Sequence, residues 1–354
     1  MRHAKFFLLC CSNLISYFSI TIFALIGFCS KHRTSKKYII GYLPKTWKEG
    51  ILEFLFNDIA RSSKSENTEY LLTANIFTIK TILHFNPDSL VLSLHQNLLQ
   101  SLLHHGVPCQ SICCFYTHSR LTTSLGSILK MNIKMWLPMN FTEANALLLS
   151  GVNPSHILRF PAGIDLTLFG NSSEALPTRC YDIVVSLKYP ELMHGHYYDR
   201  KNYNILVPLI NLLASAGLKV AIVGKGWSKS NLHQSVNIFF FDLPHFSTSN
   251  VYLQSKIYIS LALQEGGPIS FLEASACGCL CLCSPTGFAL DFGHSADLGY
   301  YLLPSNASCK RIYEMINQLI VLSNDNMHEQ LILKRKVDLE SYSFSFHSLT
   351  LENL

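Results

Sequence analysis

The sequence predicts an α/β protein with two parallel-sheet domains that face each other across a cleft. From residue 38, short apolar strands alternate with amphipathic helices, and the alternation restarts after a polar stretch at 170–179. The length of 354 residues exceeds one ordinary core and suits two domains of about 150 residues each. A composition that is 49% hydrophobic, with 22 Phe and 16 Tyr, excludes a disordered chain.

Five strands are expected in the first domain, each a short apolar run. They lie at 38–44, 89–95, 111–118, 134–139 and 156–163. The second of them follows the turn Asn86-Pro87-Asp88. Helices are predicted between them at 48–63, 97–106 and 141–151, and the last two end at glycines, which commonly terminate helices.

The second domain repeats this alternation after the candidate linker at 170–179. Strands are predicted at 181–187, 219–224, 236–242, 256–263 and 279–284, with helices at 203–217 and 268–278. The domains are therefore expected at 38–172 and 173–335, and residues 336–354 are expected to cross back to the first domain.

The net charge of +5 does not belong to the two domains. Residues 1–37 contain six Lys or Arg and no acidic residue, so the rest of the chain has 22 Lys and Arg against 23 Asp and Glu. A body so close to neutral does not predict a nucleic-acid surface, which needs an excess of basic residues.

Residues 6–29 form an uncharged, mostly apolar segment of 24 residues with basic residues on both sides. As a helix rising about 1.5 Å per residue it crosses a hydrocarbon core of about 30 Å. We therefore expect residues 1–37 to be a single-pass membrane anchor of undecided orientation. A cleaved signal peptide and a wrongly assigned start codon are the alternatives.

The 12 cysteines show no disulfide pattern. Four of them alternate in the segment GCLCLCS, as Cys277, Cys279, Cys281 and Cys283. Alternation on a strand points side chains to opposite faces, so these residues are expected to fill a core and not to converge on zinc. A chain without disulfides suits a reducing compartment, and we expect the catalytic part in the cytosol.

One segment carries a candidate binding site for a phosphorylated, hydroxyl-rich ligand. Gly266 and Gly267 follow a predicted strand, and Pro268 is expected at the first helical position. Backbone N–H groups at such a glycine turn bind anions such as a diphosphate. Glu265 precedes the turn and Glu273 follows eight residues later, and carboxylates accept strong hydrogen bonds from hydroxyls.

This segment, QEGGPISFLEASACG, resembles the Glu-x7-Glu signature of retaining glycosyltransferases of the GT-B fold, family 4. Four further segments resemble the family in the same order: FNPDSLVLSLH, GVNPSHILRFPAGIDLTLF, VGKG and SYSFSFH. The resemblance implies two Rossmann-like domains, with an acceptor-side domain first and a nucleotide-sugar-binding domain second. It also implies sugar transfer with retention from a nucleotide donor to a glycan or lipid-linked acceptor, by front-face attack assisted by the leaving phosphate.

The resemblance also implies donor-binding residues. Glu273 is implied to bind the donor ribose, while Gly266 and Gly267 present N–H groups to the sugar and diphosphate. The donor-binding segment continues through Pro268, Ile269 and Ser270. Nucleobase selection is expected near His245 and Phe246.

Four residues are implied to be catalytic. Glu265 is implied to contact the transferred sugar, and His118, at the end of a first-domain strand, is implied to reach the same sugar. Lys188 and Lys201 are implied to neutralise the diphosphate leaving group, which gains negative charge as it departs. No cofactor is implied, and since the sequence contains no Asp-x-Asp, we expect a metal-independent reaction.

The sequence departs from the family pattern at several positions. LPKTWKEG stands in place of the usual diglycine loop after the first strand, Lys188 in place of Arg, and Asn202 in place of Gly. The short first domain leaves open a non-catalytic GT-B-like protein that binds a nucleotide sugar or glycan. An NAD-dependent reductase is disfavoured, because Lys229 stands where a dinucleotide fingerprint needs its third glycine.

Overall fold

The computed structural model describes residues 36–44, 51–117, 132–170, 177–191, 194–230, 232 and 235–354. Its first sheet has five strands in the order β2-β1-β3-β4-β5. These strands are β1 (Lys37–Tyr42), β2 (Thr68–Thr73), β3 (Leu90–Ser93), β4 (Ile112–Tyr116) and β5 (Met135–Pro138). The helices are α1 (Ile51–Ser62), α2 (Ile76–Phe85), α3 (Gln96–His104) and α4 (Phe141–Leu149).

The second sheet has six strands in the order β11-β10-β9-β6-β7-β8. These are β6 (Tyr181–Ser186), β7 (Val220–Val223), β8 (Ile238–Phe241), β9 (Ser255–Ser260), β10 (Leu280–Cys283) and β11 (Tyr300–Leu302). Its helices are α5 (His196–Arg200), α6 (Tyr203–Ser215), α7 (Thr248–Leu253), α8 (Ile269–Ala276), α9 (Phe288–Phe292), α10 (Cys309–Leu322) and α11 (Asp325–Glu340). A final helix, α12, spans Phe344–Asn353.

Every strand pairing in the two described sheets is parallel, as in the register Ile39↔Leu90 and Ile183↔Ile257. Parallel strands covered by helices on both faces are continuous apolar runs, and β3, β4, β7 and β10 are buried at every residue. The alternating cysteines of β10 belong to this core. The predicted α/β class with two parallel-sheet domains is confirmed.

The end of the chain returns to the first sheet. Helix α12 packs against α1, and the Lys37 ammonium donates to the Glu352 carbonyl at 2.9 Å. Residue Gly163 lies directly against the Phe344 ring, where any Cβ would overlap the ring carbons. Only glycine therefore allows this close approach between the segment after β5 and α12.

The prediction of a fifth sheet strand at 156–163 is wrong. Ile157 forms only an isolated bridge with Trp136, and Phe160 N donates to the Pro138 carbonyl at 2.8 Å. Pro161 has no N–H group to continue such a ladder, so the segment leaves the sheet. The strand that completes the five-stranded sheet is instead β2, which was not predicted. It is a half-buried edge strand, and its mixed polarity gives a weak sequence signal.

The predicted membrane anchor and most of the predicted linker lie outside the residues that the structure describes. The predicted anchor at 6–29 lies outside the described residues, and no helix within the described ranges is long and apolar enough to cross a membrane. Residues 171–176 of the predicted linker also lie outside them. At its far end Arg179 is buried, and its guanidinium donates to the Cys277 carbonyl at 2.7 Å.

Candidate active site

The candidate site lies at the carboxyl edge of the second sheet, between β6 and β9. The chain continues from β6 to β7 on one side, while β9 adds on the other, so this is the point where the strand order reverses. In open parallel sheets, ligands bind at such a point. A cavity of about 20 Å³, room for about one water molecule, is lined there by Ser186, Lys201, Ser260, Glu265 and Ser270, among other residues.

Glu265 is the acidic centre of the site. Its side chain is almost completely buried, and its carboxylate forms ion pairs with two consecutive basic residues. Arg200 Nη1 lies 3.1 Å from Oε2, and Lys201 Nζ contacts Oε1. The same guanidinium nitrogen donates to the Gln264 carbonyl at 3.1 Å. Two cations therefore contact residues 264 and 265, which directly precede Gly266 and Gly267.

A sharp turn between two helices presents these cations. Helix α5 ends at Arg200, Lys201 is its C-cap, and Asn202 has the left-handed backbone conformation at φ 57° before α6 begins. Asparagine tolerates this conformation better than most residues, which explains its occurrence where the family pattern has glycine. Leu263 N donates to the Arg200 carbonyl at 2.8 Å, so the turn is tied to the end of the β9 segment.

Lys188 lies after β6 and does not join the ion pairs of Glu265. Its ammonium lies 5.3 Å from the centroid of the Tyr197 ring, over whose face the Arg200 guanidinium also lies at 5.6 Å. An aromatic face attracts cations electrostatically. Tyr197 thus connects Lys188 with Arg200 of the Arg200–Lys201 pair.

Glu273 lies on α8 with only 3% of its surface exposed. His245, in a 3₁₀ turn at His245–Ser247, donates from Nε2 to its Oε1, and the imidazole packs 5.5 Å from the Phe169 ring. Burial opposes protonation of His245, but the hydrogen bond and charge of Glu273, together with two further carboxylates, outweigh burial and raise the pKa of the imidazole. Asp58 and Asp165 act in the same direction. This contact with Glu273 was not predicted.

The glycine loop between the two glutamates is closely packed. A Cβ on Gly267 would overlap the Phe288 ring, so only glycine fits there. Pro268 is the N-cap of α8 and not its first residue, because its ψ of 108° is extended, so Ile269 begins the helix. Ser270 Oγ lies 2.9 Å from the hydroxyl of buried Tyr258.

The start of α4 in the first domain contacts this loop and the helix behind it. Asn140 Nδ2 donates to the Gly266 carbonyl at 2.5 Å. Phe141 N donates to both carboxylate oxygens of Asp291 on α9, at 3.1 and 3.3 Å. Arg159 lies 3.5 Å from the same carboxylate and donates to the Tyr342 hydroxyl at 2.9 Å. Burial raises the pKa of Asp291 to about 6.

The structure thus groups most of the predicted site residues. Glu265, Lys201, Pro268 and Ser270 line one cavity, and Lys188 is linked to this group through Tyr197 and Arg200. His118 lies outside the described residues. Arg200 was not predicted, and its only sequence signal is that it precedes Lys201. No group of His, Cys, Asp and Glu in the described ranges could hold a metal ion.

Comparison with known proteins agrees with this geometry. Residues 191–336 match the family described as glycosyl transferases group 1, and this range contains the glycine loop, both glutamates, Arg200 and Lys201. No curated protein sequence matches the chain.

Three solved structures illustrate the fold-level similarity. A glycosyltransferase from Rickettsia africae is 14% identical, with a TM-score of 0.67 over 90% of this chain and 97% of its own. HepE from Anabaena in complex with UDP-glucose is 13% identical, with a TM-score of 0.62 over 89% and 98%. Sucrose-phosphate synthase from Thermosynechococcus elongatus is 13% identical, with a TM-score of 0.62 over 90% and 98%.

At these identities the structures establish the fold alone, which is consistent with GT-B, and the sequence match covers the part of the second domain that follows β6. Residues 191–336 therefore form a glycosyl transferases group 1 domain, within a chain that has the two-sheet fold of known glycosyltransferases.

Proposed function

We propose that the protein is a retaining GT-B glycosyltransferase of family 4 that moves a sugar from a nucleotide donor to a glycan or lipid acceptor without a metal ion. The observation that carries the proposal is the grouping of Arg200, Lys201 and Glu265 at the glycine loop. A complex of a similar structure with UDP-glucose supports a nucleotide-sugar donor.

The cations give the site its capacity for phosphate chemistry. When the bond between the anomeric carbon and the phosphate oxygen breaks, its electron pair stays on the diphosphate. Lys201 and Arg200 would stabilise that charge together with the N–H groups at the start of α8. Lys188, which also lies over the Tyr197 ring, would add a third cation. Preorganised cations in a largely buried site are worth more than exposed ones, because water screens them less.

The acceptor hydroxyl would attack the face of the sugar that the diphosphate leaves. Its proton would pass to the departing phosphate oxygen, so the reaction needs no protein nucleophile and retains the anomeric configuration. Glu265 would hold hydroxyls of the sugar, for which it must give up part of its contact with the two cations. Most of the rate would then come from positioning and charge stabilisation.

Glu273 would bind the ribose of the donor. The hydrogen bond from His245 occupies Oε1, and Oε2 of the carboxylate is an acceptor suited to a ribose hydroxyl. Phe246, which follows His245 in the same turn, is an exposed aromatic residue. With Glu273 at the ribose, this aromatic side chain would be available to the nucleobase.

A donor screen tests the proposal. The purified full chain, in detergent, is heated with UDP, GDP and ADP, and a binder raises the melting temperature according to its concentration and affinity. The corresponding nucleotide sugars are then assayed for hydrolysis and for transfer. We expect one base to stabilise the protein and its sugar to be turned over. Failure of every donor to bind would refute the function, while binding without any turnover would favour a non-catalytic binding protein.

We also propose that residues 6–29 attach the protein to a membrane. The support is the length and lack of charge of this segment. After cell fractionation, an anchored chain stays in the membrane pellet during extraction with alkaline carbonate. Recovery of the full chain in the carbonate supernatant would contradict the anchor and leave the transferase proposal intact.

A further inference from the structure

Asn140, at the start of α4 in the first domain, uses both ends of its carboxamide. It is 1% exposed and serves as the N-cap of α4, because its Oδ1 accepts from Glu143 N at 2.9 Å. Its Nδ2 donates to the Gly266 carbonyl in the second domain, 126 residues further along the chain. The capping contact fixes the rotamer, so the NH2 group is directed at the glycine loop before any ligand binds.

Neighbouring contacts keep the start of α4 against the second domain. The Phe141 N–H binds the Asp291 carboxylate, and the Arg159 guanidinium lies 4.5 Å from the Phe141 ring while it pairs with Asp291. The position of Asn140 relative to the glycine loop is therefore set by the cluster around it and not by its own hydrogen bond alone.

The contact restrains a part of the chain that has little conformational preference of its own. Gly266 and Gly267 are consecutive, and glycine has more accessible backbone conformations than any other residue. The peptide unit is planar, so a fixed Gly266 carbonyl also fixes the direction of the Gly267 N–H. Gly267 packs against the Phe288 ring of the second domain. The Gly266 carbonyl of the same peptide unit is bound by Asn140 of the first domain.

We propose that Asn140 is a positioning residue: its Nδ2–H holds the Gly266–Gly267 loop in the conformation that receives the diphosphate of the donor. The inference rests on the proposed function and names a first-domain residue that completes a second-domain donor site. Donor binding and the contact between the two domains then stabilise each other, because the contact holds the loop in the conformation that binds the donor.

The variant that tests this is Asn140→Ser. Serine is a good N-cap, so α4 keeps its cap, but serine cannot reach the Gly266 carbonyl as the carboxamide does. The matched control is Asn75→Ser at the N-cap of α2, where the side chain accepts from Phe77 N and Thr78 N in its own first turn. Both variants should melt close to the wild-type temperature.

Two measurements distinguish positioning from a general structural role. The first is calorimetric affinity for the nucleoside diphosphate that stabilises the wild type and for its nucleoside. We expect Asn140→Ser to lose about tenfold in affinity for the diphosphate, the scale of one hydrogen bond, and to leave nucleoside affinity and the Asn75→Ser control unchanged. The second is hydrogen exchange of the ligand-free protein, in which amides of the glycine loop should exchange faster only in Asn140→Ser.

The outcomes separate this inference from the proposed function. Wild-type diphosphate affinity and wild-type exchange in Asn140→Ser would overturn the role of Asn140 while the transferase proposal stands. Equal losses for the nucleoside and the diphosphate would show a structural role and also overturn it. A wild-type protein that binds no nucleoside diphosphate would refute the proposed function and, with it, the donor role of the loop.

Discussion

The Lys201 ammonium and the Glu265 carboxylate form an ion pair at the edge of the glycine loop, and Arg200 binds the other oxygen of the same carboxylate. All three side chains are largely buried, so the charges depend on one another more than surface charges do. The two cations proposed to bind a diphosphate are therefore already partly neutralised by one carboxylate of the protein. Ligand binding must compete with that pairing.

Glu265→Gln is expected to separate binding from turnover. The amide keeps the shape of the side chain but removes the negative charge that competes for Arg200 and Lys201. We expect affinity for the free nucleoside diphosphate to increase by about three- to tenfold, because the cations no longer pair with a carboxylate. Sugar transfer should fall by about 100-fold, because a strong acceptor for sugar hydroxyls is lost. Calorimetry and initial rates measure the two effects.

The control for this substitution is Glu329→Gln on the exposed face of α11, which should leave both quantities unchanged. A Glu265→Gln variant that binds the diphosphate more weakly than the wild type would show that the carboxylate organises the cations and does not compete for them.

Glu273→Ala is expected to weaken nucleotide binding while the fold survives. A hydrogen bond to a charged group contributes about 1.5–3 kcal/mol, so affinity should fall by about 10- to 150-fold. The substitution also removes the hydrogen bond and charge that raise the pKa of His245. The pKa of that imidazole, followed by NMR, should therefore decrease in the variant. Nucleotide affinity equal to that of the wild type would exclude Glu273 from the ribose site.

The second domain was largely predictable because five of its six strands contain short apolar runs, whereas the short edge strand β11 was not predicted. The glycine loop and both glutamates could be placed from one segment of sequence, since their spacing is local. The first domain was harder. Edge strand β2, TEYLLT, is half-buried and has no clear period, whereas the apolar segment 156–163 contains Pro161 and cannot continue a ladder.

The contacts that complete the site could not be predicted, because they join residues distant in sequence. Arg200 pairs with Glu265, 65 residues further along the chain, from the end of a short helix that the left-handed turn at Asn202 follows. Asn140 has the signature of a helix N-cap, which predicts its Oδ1 contact but says nothing of Gly266. The His245 contact with Glu273 likewise depends on how the turn before α7 packs against α8.

Gly267→Ala should displace the glycine loop, since its methyl group would overlap the Phe288 ring. We expect a loss of about 1–3 kcal/mol in the free energy of unfolding, the usual range for overpacking, together with weaker diphosphate binding. Phe288→Leu provides the room, so the double variant should recover part of both losses. A double-mutant cycle from denaturant unfolding measures this coupling, and strictly additive losses would show that the clash with Phe288 is not the cause.

The raised pKa of Asp291, whose carboxylate binds Phe141 N of the first domain, predicts how the free energy of unfolding depends on pH. Burial raises this pKa from 3.8 to about 6, so the native state binds the proton more tightly than the unfolded chain does. The contribution of Asp291 to the free energy of unfolding therefore decreases as pH rises from about 4 to about 6, by at most about 3 kcal/mol.

Asp291→Asn is neutral throughout and keeps an oxygen that can accept from Phe141 N. The variant should therefore match the wild type near pH 4 and become the more stable protein towards pH 7. Urea unfolding at a series of pH values measures this difference, with exposed Asp297→Asn as the control. A wild-type protein that gains stability over Asp291→Asn as pH rises would mean that the Arg159 charge outweighs the burial of the carboxylate.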